Sequence, residues 1–370
     1  MELINATRMV TGYTMGVEPS GRELLVVVIK GTFVLPRPGE AVRLHDEQVP
    51  LLMADTFNGA PGFSAPLHEA DFAPRKHHCD VLLAGSAHAP GGRPVTRARV
   101  GLHVGPMHKS FDVVGHRVWE VGLGAVRASL PLPFETMSLS YGCAFGGVDE
   151  SSEDPAEHSA YGPNPVGRGY RKRLKASWVD GAPLPNTEES GILVDAPDGA
   201  FRPMAYGPVG RGWPERACHA GTYDQAWLDH GFPFPPADFD ERYYQAAPLD
   251  QQIPIPEAAL EVRLENLTPD GLRHFALPFF EAPIHVFPKN NARREDLVAR
   301  LDTIVFEPDQ ERFTMQWRVA RPLRDNMFEV SQVLVGRKGE DWWQARDEMT
   351  FPIRVVSAPA DADADLEAFE

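Results

Sequence analysis

The chain has 370 residues and a formal charge of −16, from 36 basic and 52 acidic side chains. Its whole-molecule field repels phosphate backbones and anionic bilayers, which excludes both as partners unless a local basic patch intervenes. Hydrophobic residues make 43% and charged ones 24%, the balance of a folded globular chain, while 32 glycines and 35 prolines foretell many turns and few long helices.

At the amino terminus "MELINATRMV" lacks the basic-then-apolar pattern of an export signal, and the best apolar run, "LLVVVI" at 24–29, stops at Lys30. A cytoplasmic location is therefore expected. Cys79, Cys143 and Cys218 are far apart and form no CxxC pair, which fits a reducing compartment and argues against a disulfide framework. Up to about residue 145, β-branched apolar runs recur between glycines and prolines, so strands are expected at 24–35, 79–85, 98–105 and 110–122.

Residues 146–255 have no sustained period of 2 or 3.6, yet they carry Trp178, Trp213, Tyr223, Trp227, Phe239, Tyr243 and Tyr244. That much ring surface argues against disorder, and an ordered, loop-rich belt packed on the β core is the expectation. Alternation returns in 256–357: "LEVRLENL" sets Leu260, Val262, Leu264 and Asn266 on one face, and 303–322 has the pattern of a hairpin turning at Glu307–Glu311. Short helices are expected at 293–301 and 340–348. Residues 358–370 repeat Ala and Asp and have the composition of a mobile acidic tail. The fold class expected is mainly β, an antiparallel β-sandwich-like core built from 1–145 and 256–357 as one composite domain, with the loop-rich middle segment and a few short helices.

Several motifs fall short of a chemistry. "GPMHKS" (105–110) has His108 where a phosphate loop needs glycine, and "HEADF" (68–72) has Phe72 where a zinc protease helix needs its second histidine. "HHCD" (77–80) offers two ligands to either face of a strand, too few for a metal, and Cys143 in "YGCAFGG" reads as a small residue in a tight glycine turn. No metal and no cofactor are expected. The one dense basic run, Arg168–Lys175, reads as a solvated surface, so no nucleic acid is expected either. "YGPNPVGRGY" (161–170) echoes "YGPVGRGW" (206–213) without matching flanks, which reads as one turn chemistry used twice.

The stretch "GTYDQAWLDHGFPFPPADFD" (221–240) carries two readings. Asp224, Asp238 and Asp240 could include the carboxylate pair of a hydrolytic, carbohydrate-active enzyme, with the rings stacking a sugar. The same acids suit turn architecture, accepting backbone N–H bonds while the prolines hold Phe232, Phe234 and Phe239 in set directions. The second reading is preferred: Asp224, Asp238 and Asp240 as structural turn acids, no catalytic residue, and Trp213, Tyr223, Trp227, Phe232 and Phe234 as a partner-binding set.

The ordered motifs "CDVLLAGSAHAP", "VGPMHKSFDVVGHRVW", "LSYGCAFGG", "NPVGRGY", "LPNTEE", "WPERACHAGTYDQAWLDHGFPFPPADFD" and "APLDQQ" resemble a family of bacterial proteins labelled as a domain of unknown function. Its members are typically encoded in type VI secretion gene clusters, beside spike and PAAR-type tip proteins and toxic effectors. The resemblance implies a cytosolic adaptor or chaperone that helps load an effector onto the spike before firing, with protein partners and no established catalytic residues. The family's usual Gly-Asp-Arg before the tryptophan reads Gly115-His116-Arg117 here, and where some members carry an added carboxy-terminal repeat module only the short acidic tail is expected.

Overall fold

A computed structural model describes residues 1–122, 125–289 and 293–350, the side chains of 347–350 excepted. The "LLVVVI" run becomes the strand Glu23–Val34, buried along nearly its whole length. Its period of two explains how: Leu25, Val27, Ile29 and Phe33 point into the main core, while Leu24, Val26 and Val28 pack against Leu51, Phe72 and Ala320 on the other face. A strand covered on both faces needs a continuous apolar run, with each buried side chain contributing about 1.5–3 kcal/mol.

That strand pairs antiparallel with Val10–Val17 on one side and Arg312–Pro322 on the other. The sheet then continues through Glu295–Glu307, Ala282–Pro288 and Val330–Val335 to Glu2–Asn5. Its two end strands, Glu2–Asn5 and Val10–Val17, are neighbours in the chain, so the sheet curls into a nearly closed, barrel-like form. Glu295–Glu307 changes partners along its length, with 295–299 pairing with Ala282–Val286 and 303–306 running parallel to Asp80–Leu83. A bulge between Leu301 and Thr303 breaks its register with Arg312–Pro322. There Asp302 is buried and accepts from the Arg318 Nε at 2.6 Å.

A second, antiparallel sheet orders Thr187–Glu188, Met107–Val114, Arg97–Val104, Glu261–Glu265 and Leu272–Ala276. It faces the first across one core in which Val100, Leu102, Phe111, Val262 and Leu264 meet Ile29, Phe306 and Phe313. The protein is mainly β, as its alternation implies, and the helix expected at 340–348 is present as Glu340–Thr350. The helix expected at 293–301 is not: those residues enter the strand Glu295–Glu307. Ala299 and Leu301 point inward while Asp296, Val298 and Arg300 are exposed, and pairing with neighbours on both sides overrides the local helical spacing. The tail expected at 358–370 lies outside the described residues.

The middle segment is made of turns, two-residue strands and helical turns of three to six residues. Buried polar clamps fix it to the sheets. Gln251 donates to the Val81 and Tyr206 carbonyls at 2.7 and 2.9 Å and accepts from Lys109 Nζ at 2.7 Å. Burial pushes the Lys109 ammonium down to about 8. Asp80 accepts from Gln245 Nε2 and from the Ala246 N–H at 2.7 and 2.8 Å, with Lys76 Nζ also at 2.7 Å. The "HHCD" aspartate is thus an anchor for the belt, while His77 and His78 stay exposed.

Candidate functional site

Residues 221–240 build a small, rigid ledge. Asp224 caps the helix Gln225–His230 by accepting from the Trp227 N–H at 2.9 Å, which satisfies one of the donors that a helix start leaves unpaired. The Trp227 indole N–H donates to the Phe234 carbonyl at 2.9 Å and closes the loop that follows the helix. Asp238 ties the stretch to its own beginning, accepting from the Thr222 N–H at 3.0 Å and its hydroxyl at 2.7 Å. Gly221 adopts φ +82° beside this clamp, and a Cβ there would stand 3.0 Å from Asp238 Oδ1, so only glycine fits. Asp240 caps the next turn by accepting from the Arg242 N–H at 2.9 Å, with its Nε at 2.8 Å.

On this frame the rings are displayed. Tyr223 and Phe232 pack edge-on against Trp227 with centroids 4.8 and 5.8 Å apart. Tyr223, Leu228, Phe232 and Phe234 are 57, 53, 66 and 40% exposed, so this short stretch displays four apolar side chains to solvent. The Phe234 ring lies over Gly21, in the turn joining Val10–Val17 to Glu23–Val34, and so docks the ledge on the large sheet.

The structure therefore brings Tyr223, Trp227, Phe232 and Phe234 together but sets Trp213 apart. Trp213 is 8% exposed and packs edge-on against Tyr141, with Ala65, Ala205 and Val209 around it. Trp213, expected in the partner-binding set, is thus a core residue whose ring packs on Tyr141 and not with the displayed rings.

All three turn acids accept backbone N–H bonds. The Thr222 backbone N–H, then its hydroxyl, holds the Asp238 carboxyl below its ordinary value, and the Arg242 side chain, then its N–H, holds Asp240 at about 2. In this arrangement the three carboxylates serve as caps and clasps of the stretch.

Sequence reasoning missed the node beneath the belt. The Glu69 carboxylate accepts from Arg211 at 2.8 Å and Arg216 at 2.6 Å, and Asp55 holds Arg211 through two bonds of 2.7 and 3.0 Å. Burial raises the Asp55 carboxyl, and the bonds from Arg211 and the Ala70 N–H outweigh it, leaving the pKa lowered. The "PVGRG" echo shows why no spacing rule could find this: Arg211 binds acids, whereas its counterpart Arg168 donates to the Gly142 carbonyl at 2.8 Å. Cys143 is buried in the turn Tyr141–Cys143, with the Arg168 guanidinium 3.7 Å from its Sγ. Among the described residues no group of three or more His, Cys, Asp or Glu is arranged to hold a metal ion, and no helix is long and apolar enough to cross a membrane.

Neither the curated proteins nor the solved structures include a match to this chain. One family model does match, over residues 20–318, and its description is "Uncharacterized protein conserved in bacteria (DUF2169)". That span takes in most of both sheets, the whole belt and the ledge, and the chain belongs to the DUF2169 family.

Proposed function

We propose that this chain is an adaptor or chaperone of a bacterial type VI secretion system, which binds a toxic effector in the cytoplasm and helps load it onto the spike or its PAAR-type tip. The ordered motifs from "CDVLLAGSAHAP" to "APLDQQ" support the secretion context. The observation that carries a binding role is the ledge: four exposed apolar side chains on a frame stiffened by Asp224, Asp238 and the Trp227–Phe234 bond. Aromatic anchors on a preorganised frame lose little conformational entropy on binding, and such residues dominate interface energies.

The test is copurification of the products of adjacent genes with the tagged chain, before and after Tyr223→Ala and Phe232→Ala. The reading expects a neighbouring effector or tip protein to copurify, and each substitution to weaken the complex while the melting temperature stays put. Absence of any neighbour from the purified material defeats the adaptor reading. Normal binding by both variants moves the interface off the ledge.

A further inference from the structure

Two cavities meet at His68 and Glu69, residues that the ledge does not use. The smaller, about 210 Å³, lies on the polar face of the large sheet beside Lys30, Lys76, Glu307 and Arg312. The larger, about 410 Å³, is walled by Phe57, Pro66, Pro165, Pro208 and Trp213, with Asp55, Arg211 and Arg216 on its polar side. Its volume falls in the ordinary range of small-molecule sites, about 300–1,000 Å³.

One buried polar atom here lacks a hydrogen bond. The Glu69 side chain is 7% exposed; its Oε1 serves Arg211 and Arg216, while its Oε2 receives no hydrogen bond and has Lys76 Nζ 3.8 Å away. The Trp213 indole belongs to the chamber wall, and its N–H makes no hydrogen bond among the described residues. The unpaired buried acceptor costs free energy that a ligand with a matching donor recovers, and the indole N–H offers the same ligand a donor.

The charges identify the ligand's class. Arg211 and Arg216 balance Asp55 and Glu69, and burial lowers the His68 pKa despite the nearby Glu307 carboxylate, keeping the ring neutral. A charged ligand entering would be desolvated with no free counter-ion. What fits is an uncharged molecule that both donates and accepts, and that presents C–H faces to Phe57 and the prolines. Hydroxyls around an apolar C–H face are the chemistry of a sugar ring.

We propose that the chamber between residues 55–69 and 208–216 binds an uncharged sugar. A ring hydroxyl donates to Glu69 Oε2 where the cavities meet, and the Trp213 indole N–H donates to a sugar oxygen. This gives the second "PVGRG" turn a use, since Pro208–Gly212 line the chamber. The proposal does not depend on the adaptor reading.

Calorimetry and ligand-observed NMR on the full chain test it, with D-glucose, N-acetyl-D-glucosamine and cellobiose as probes and glycerol as the control polyol. At least one sugar binds saturably, glycerol does not, and added salt leaves the affinity unchanged. Phe57 belongs to none of the core clusters, so Phe57→Ala keeps the fold and weakens sugar binding about tenfold, as does Trp213→Phe, which keeps the ring and removes the donor. Melting temperatures of both variants report folding separately. The proposal is overturned if none of the three sugars saturates, or if binding survives both substitutions. Saturable binding of inorganic phosphate, lost in Arg211→Gln, would make this an anion site and overturn it too.

Discussion

Arg216 donates to Glu69 Oε1 at 2.6 Å across 147 residues of chain, and both side chains are almost fully buried. The same guanidinium donates to the Val209 carbonyl at 2.9 Å and the Tyr243 carbonyl at 2.8 Å, so one arginine ties the segment around Glu69, which follows the strand Glu23–Val34, to two separate stretches of the belt. Removing one member of such a pair strands the other in a poorly solvated site. Glu69→Ala is expected to lower stability by about 3–5 kcal/mol, read from urea unfolding midpoints. A loss under about 1 kcal/mol would show that water reaches the node.

Gln251 is the belt's clamp on both sheets. Gln251→Leu keeps most of the volume but leaves the Val81 carbonyl, one bond of the Tyr206 carbonyl and the Lys109 ammonium short of a partner. The expected cost is about 2–3 kcal/mol, with faster amide exchange at 204–209 and 249–253.

Asp224→Ala removes the helix cap and should cost about 1 kcal/mol locally. Because the helix carries Trp227 between Tyr223 and Phe232, the readout is quicker amide exchange at 225–231 with an unchanged core. Asp224→Asn, which still caps, should restore protection. Failure of the asparagine to rescue would mean that charge rather than the cap bond holds the ledge.

The ledge also has a pH dependence of defined sign. Asp240 sits at about 2 in the folded chain, below its unfolded value of about 3.9, so its contribution is complete above about pH 4 and is lost as pH falls through about 2. Asp238 shifts the same way. Amide exchange at 238–244, compared between pH 5 and pH 2.5 in the native chain and in Asp240→Asn, should change in the former and less in the variant.

If the ledge binds a protein, that partner is basic beside its apolar anchors. Asp224, Asp229 and Asp238 are exposed next to the rings, and among the described residues none has a cationic partner within salt-bridge distance. Raising the salt concentration should slow association more than it speeds dissociation. Salt-independent association would point to a purely apolar contact.

The strands were legible because their covering is written in the chain. "LLVVVI" can be buried on both faces only in a sheet interior, and "LEVRLENL" alternates as a one-sided strand must. The hairpin turn was legible for a similar local reason: Pro308 opens it, and Glu311 closes it at φ +52°. Residues 293–301 misled because their local spacing suits a helix and their strand state is set by partners at 282–286 and 312–318. The acids of 221–240 were legible as caps, since each lies two or three residues before the N–H it binds or closes a loop on its own stretch. Trp213 and the displayed rings looked alike, and only packing against Tyr141 separates them.

By itself, the sequence determined the class of the molecule: a β-rich, acidic chain with a turn-built, aromatic middle, whose caps and strand faces follow from spacings of two to four residues. Tertiary structure alone decided which rings are exposed, that Glu69 gathers Arg211 and Arg216, and that Gln251 and Asp80 hold the belt to the sheets. The reason is range. Periodicity and capping act over a few residues and leave a trace in their order, whereas a buried ion pair spanning 147 residues depends on where the chain returns, which no local pattern encodes.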